Sequence, residues 1–156
     1  GLPLSHPGKP ANYRTLYQAT DSALIARAMV CMATSPQGRN QAFNITNGDL
    51  FRWEQLWPGF ARFFDMEIGP QKNISLQQFM ADKAPVWDRI VKKYGLKPYA
   101  FEEIAAWKFG DFVFSAEWDV ISDMGKARRA GWCEALDSED MFLRLFAEFR
   151  RERIIP

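Results

Sequence analysis

Histidine and cysteine are scarce in this chain, and that scarcity closes off most metal and nucleophile chemistry at the outset. The single histidine, His6, stands among prolines. With no second imidazole and no neighbouring nucleophile it offers neither a metal-ligand spacing nor a Ser–His or Cys–His pair, so it reads as a loop residue. Cys31 and Cys133 lie far apart without a Cys-x-x-Cys spacing. That excludes a zinc site and predicts two reduced, buried thiols. No run of about 18 apolar residues occurs, so no membrane partner is expected. Charge of one sign is also lacking: 20 basic against 19 acidic residues leave a net charge of +1, with no Lys/Arg stripe to follow a phosphate backbone. Nucleic acid is therefore not an expected partner. The opening residues contain no basic region followed by an apolar core, which favours a cytoplasmic location.

What the chain does have is aromatic surface. Its 156 residues, 47% hydrophobic and 25% charged, suit one globular domain with a sizeable core. Yet 13 Phe, 6 Trp and 4 Tyr exceed what a minimal core needs. Dense packing, a large partner surface or a roomy apolar pocket would each use them.

The hydrophobic spacing is mostly helical. From Asp21, Leu24, Ile25, Ala28, Met29 and Met32 repeat as one helix face to about Thr34, with Thr20 or Asp21 as the cap. Gln41 to Thr46 reads as a short strand, and Asn47-Gly48-Asp49 then turns the chain, placing Asp49 to cap a helix that buries Trp53, Leu56, Trp57, Phe60 and Phe64. Pro58 should kink that helix. Ser75 and Gln78 have capping-box spacing, Pro85 opens a further helix, and Gly95 ends it. Phe101 to about Ser115 reads as one helix, apolar almost all round. Trp118 to Ile121 suggests a second strand, and Ser122 a cap for a small helix ended by Gly131. A last helix opens at Asp137 and buries Met141, Phe142, Leu145, Phe146 and Phe149.

Several blocks, in this order, carry a family resemblance. They are Ala19-Thr-Asp-Ser-Ala-Leu-Ile-Ala26, the Phe43-Asn-Ile-Thr-Asn-Gly-Asp-Leu-Phe-Arg-Trp53 segment, Pro85-Val-Trp-Asp-Arg-Ile-Val91, Trp107-Lys-Phe-Gly-Asp-Phe112, Ser122 to Trp132, and the Ile154-Ile-Pro156 ending. Together they resemble the carboxy-terminal half of the progesterone 5β-reductase/iridoid synthase-like extended short-chain dehydrogenases. The resemblance implies an α+β fold, mainly helical, with two short parallel strands that extend the sheet of a Rossmann-type nucleotide-binding half. It implies that residues 1–156 are the substrate-binding domain and that the nucleotide-binding half is absent from this chain. The Gly-rich phosphate turn and the Tyr-x-x-x-Lys pair of such reductases are missing here, in keeping with that division.

In that family NADPH delivers hydride to the β-carbon of an enone or enal, and the carboxy-terminal half supplies much of an apolar substrate pocket. The resemblance places Phe109 at the family's pocket phenylalanine, with Phe112 and Val113 one turn further along and Tyr17 at a pocket position before the Asp21 helix. The sequence departs from the family's Trp-Trp-Phe at Lys108. No residue of this chain is expected to be catalytic, to bind NADPH or to hold a metal. The implied partners are a small apolar carbonyl substrate, the missing amino-terminal half, and a second copy in a homodimer. Two other readings remain open: a stand-alone helical module for a lipid-like ligand or protein partner, and part of a sugar-nucleotide epimerase/dehydratase, against which the Phe-rich segment argues.

Overall fold

The computed structural model describes residues 2–156 and is mainly helical. In chain order the helices are α1 (Pro10–Arg14), α2 (Ser22–Thr34), α3 (Trp53–Phe63), α4 (Leu76–Met80), α5 (Ala84–Tyr94), α6 (Phe101–Ile104), α7 (Trp107–Val113), α8 (Gly125–Arg129) and α9 (Ser138–Arg151). Most boundaries follow local chemistry. The Asp21 carboxylate accepts from the Leu24 amide at the start of α2, Ser75 caps α4 through the Gln78 amide, and Asp137 caps α9 through the Asp140 amide. Gly95 closes α5 in the left-handed region at φ 62°, where a side chain would be strained.

Neither predicted strand forms a ladder among the described residues. Pairing is limited to isolated bridges: Leu4 with Ile68 and Gly48 with Leu136, both parallel, and Tyr17 with Phe51, antiparallel. The 41–46 and 118–121 segments are without regular structure, because no second strand lies beside either among the described residues. The Phe101 to Ser115 segment is also corrected. It breaks at Ala105, whose φ of −157° and ψ of 139° are extended, so α6 and α7 are separate short helices.

Three apolar clusters hold these elements. Leu24 and Ala28 of α2 pack with Met124, Ala127 and Trp132. Phe51, Trp53, Leu56, Trp57 and Phe60 form an aromatic pile that α9 covers with Phe142 and Phe146. Trp87, Leu96 and Phe101 make a third, smaller cluster. α3 carries through Pro58, and at Gly59 it meets α9 so closely that a Cβ would lie 2.1 Å from a Glu139 carboxylate oxygen.

The Asn47-Gly48-Asp49 turn does something other than cap α3. Asn47 is wholly buried; its Oδ1 accepts from the Asp21 amide at 2.7 Å, and its Nδ2 donates to Ser138 Oγ at 3.1 Å and to Met141 Sδ at 3.2 Å. Asp49 accepts from both the amide and the hydroxyl of Ser138, each at 2.7 Å. The turn is thus a clasp between the starts of α2 and α9. The residue flanking α3 is Arg52, whose amide donates to Gln55 Oε1. Ser122 likewise does not cap α8: its amide donates to Gln18, and Asp123 accepts from the Gly125 amide instead.

Candidate functional site

The four residues singled out for a pocket fall into two environments. Tyr17 exchanges backbone hydrogen bonds with Phe51, at 2.8 and 3.0 Å, which lays its ring 6.1 Å from Phe51 and 5.7 Å from Trp53. Burial raises the pKa of its phenol. Val113 packs on the same aromatic pile from α7. Phe109 and Phe112 do not join it. They are 63% and 71% exposed, with ring centroids 6.2 Å apart on the outer face of α7. Two adjacent phenylalanines held in water are an unfinished apolar wall.

α7 is pinned in place by Asp111, a residue the sequence reading did not single out. Its carboxylate accepts from Ser75 Oγ at 2.9 Å, from the Gln77 amide at 3.1 Å and from the Leu76 amide. Burial alone would raise its pKa, but these donors outweigh it and hold the carboxyl below the usual carboxylate range. Ser75 announced the start of α4; nothing local announced that a carboxylate 36 residues on would share its work.

His6, read as a plain loop residue, is 1% exposed. Its ring lies about 5 Å from those of Tyr13, Trp57 and Phe114, its Nδ1 accepts from the Gly8 amide, and its buried Nε2 has no partner. Desolvation lowers its pKa from 6.5 to about 4. The segment wraps over the aromatic pile because the Leu4, Gly69 and Lys72 amides tie residues 4–6 to residues 67–72. The cysteines also differ from expectation: Cys133 is exposed and Cys31 half-buried, both free, on one shallow hollow of about 730 Å³. Trp132 takes the interior position beside them, which turns Cys133 outward.

An aromatic, mainly helical lobe with an incomplete apolar wall is the class of protein this geometry defines, and the whole chain, residues 1–156, matches the PRISE-like Rossmann-fold domain. The chain belongs to that family, the progesterone 5β-reductase/iridoid synthase-like group of short-chain dehydrogenases. It is 35% identical over 162 residues to (S)-8-oxocitronellyl enol synthase CYC1 of Camptotheca acuminata, covering 99% of this chain and 41% of that protein. It is 36% identical to the (S)-8-oxocitronellyl enol synthase of Antirrhinum majus, over 99% of this chain and 40% of that one, and 34% identical to the Catharanthus roseus enzyme of the same name, over 98% and 40%. The chain thus spans about 40% of the length of these curated relatives.

The two longest helices offer no pyrophosphate site of the kind a Rossmann family implies. A pyrophosphate binds where backbone amides at a helix start are free to donate. The two longest helices, α2 and α9, instead open on the carboxylates of Asp21 and Asp137, which occupy those amides and repel an anion. Among the described residues, no cluster of His, Cys, Asp or Glu is arranged to hold a metal ion, and no helix is long and apolar enough to cross a membrane.

Proposed function

We propose that this chain is the substrate-binding half of an NAD(P)H-dependent oxidoreductase that reduces the C=C bond of an enone or enal. Hydride source and proton donor belong to polypeptide outside these residues. The observation that carries this reading is the pair Phe109 and Phe112, an exposed aromatic wall on a helix anchored by Asp111 and backed by the Tyr17–Val113 side of the aromatic pile. Such a wall recognises a hydrocarbon skeleton and excludes water from it, which is what hydride delivery to an unsaturated carbon requires of its surroundings. The relatives, named as enol synthases, support the chemistry. The 41–46 and 118–121 segments would become parallel strands by joining the sheet of the nucleotide-binding half, and that half would cover the open side of the lobe.

The test is made in the full-length protein. Phe109→Ala should raise KM for an α,β-unsaturated aldehyde about tenfold or more, the loss expected on removing one buried aromatic contact, while leaving NADPH affinity unchanged. An unchanged KM would remove Phe109 from the pocket. Turnover by residues 1–156 alone would overturn the division of labour itself.

A further inference from the structure

A second hollow lies on the other side of α7. Trp107 opens that helix, and Phe109 projects about 200° further round it. Trp107 faces a groove of about 490 Å³ bounded by the α5–α6 corner, the end of α3, the last turns of α9 and the C-terminal tail. This volume is of the order that small-molecule sites occupy, roughly 300–1,000 Å³.

The groove exists because two apolar clusters fail to fuse. The helix break between α6 and α7 places Ala105 at the corner, where a larger side chain would fill the space. The walls are held before any ligand arrives. Trp87 Nε1 donates to the Tyr99 carbonyl at 2.8 Å, and the Ile154 amide donates to the Phe149 carbonyl at 2.8 Å, which folds the tail back as one wall. The Lys97 amide fastens that tail again through the Arg153 carbonyl.

The lining is apolar and largely aromatic, with Phe64, Trp87, Trp107 and Phe149 among it, and its one charged side chain is Glu103. The Glu103 carboxylate is held in place by the Ala100 amide at 2.9 Å. As the one charge on the lining, it disfavours a fatty acid or any other anionic amphiphile. The Trp107 indole nitrogen is sealed from solvent and has no partner, so a ligand oxygen that displaces its cover would meet an unmet donor. We propose that the groove binds an uncharged, mainly hydrocarbon molecule that bears one hydroxyl or carbonyl oxygen. The site is independent of the role given to Phe109.

Biphenyl-4-methanol and biphenyl-4-carboxylate share one apolar body and differ in charge, and titrating the full chain with each tests the assignment. The alcohol should shift the indole N–H resonances of Trp87 and Trp107 saturably, and the carboxylate should bind about tenfold more weakly, as a nearby like charge dictates. Glu103→Gln keeps the acceptor for the Ala100 amide and should bring the two ligands to within about twofold of each other, since only the charge is removed. Ala105→Leu should abolish the alcohol's shifts in a chain whose circular dichroism is unchanged. Absence of saturable shifts, equal affinity of the two ligands for the unmodified chain, or a carboxylate penalty that survives Glu103→Gln would each overturn the proposal. So would self-association that Ala105→Leu removes without any alcohol binding, because the groove would then belong to a second copy.

Discussion

Burial turns His6 into a base that stays neutral well below its ordinary range, and the consequence is a pH-dependent fold. Its pKa in the native chain is about 4, against 6.5 when solvated. Between those values the unfolded chain takes up a proton that the folded chain refuses, so stability is full above pH 6.5 and declines as pH falls towards 4. At 1.36 kcal/mol per pH unit the loss approaches about 3 kcal/mol. Urea unfolding at a series of pH values should show that decline, and His6→Leu should flatten it within this window. An unchanged slope in the variant would assign the decline to other groups. Asp21 and Asp111, both held below the carboxylate range, add their own loss only at the acid end of this window, where their unfolded-state carboxyls begin to protonate, so the His6 share is read above about pH 5.

At the level of elements, the Asn47 clasp carries more than its size suggests. Asn47→Ala removes one acceptor and an amide nitrogen that donates twice, while leaving Ser138 and the Asp21 amide buried and short of partners. The expected cost is about 2–4 kcal/mol, from two or three lost buried hydrogen bonds. Chemical denaturation measures it, and a cost below about 1 kcal/mol would mean that water replaces the side chain without penalty. Here the limits of local reasoning show. Asp21, Ser75, Gly95 and Asp137 end or begin helices through their own neighbours, so their roles were legible from sequence spacing. Asp49, the residue expected to cap α3, lies three residues before the cap position at Arg52, and its partner is Ser138, 89 residues away. The all-round apolar pattern of Phe101 to Ser115 concealed the break at Ala105, because periodicity cannot register where a continuous hydrophobic run changes direction. The candidate site was legible only as a list of residues. That Val113 packs inward while Phe109 and Phe112 face out is decided by which face of α7 Asp111 draws onto α4, whereas Tyr17 is placed by its backbone exchange with Phe51.

For the molecule as a whole, one face of α2 stands open. Of the predicted face Leu24 and Ala28 are buried, but Ile25 and Met29, with Val30 beside them, are exposed by 39%, 67% and 65%. Nothing in the described residues covers them. Prepared alone, the chain should therefore bind an environment-sensitive apolar dye and associate with itself, and the pair Met29→Lys and Val30→Lys should lower both, read by fluorescence and sedimentation. A dye-silent monomer before substitution would show that this face tolerates water. The Asn47-Gly48 peptide has a further meaning at this scale. An asparagine before glycine is the pair most prone to lose its side-chain amide, by attack of the following nitrogen on the side-chain carbon. Here that nitrogen is turned to Thr46 Oγ1 and the side chain is held from both ends. Succinimide chemistry can proceed only when α2 and α9 part company, so the slow appearance of aspartate and isoaspartate at position 47 in stored protein is a built-in clock for how often the lobe comes apart.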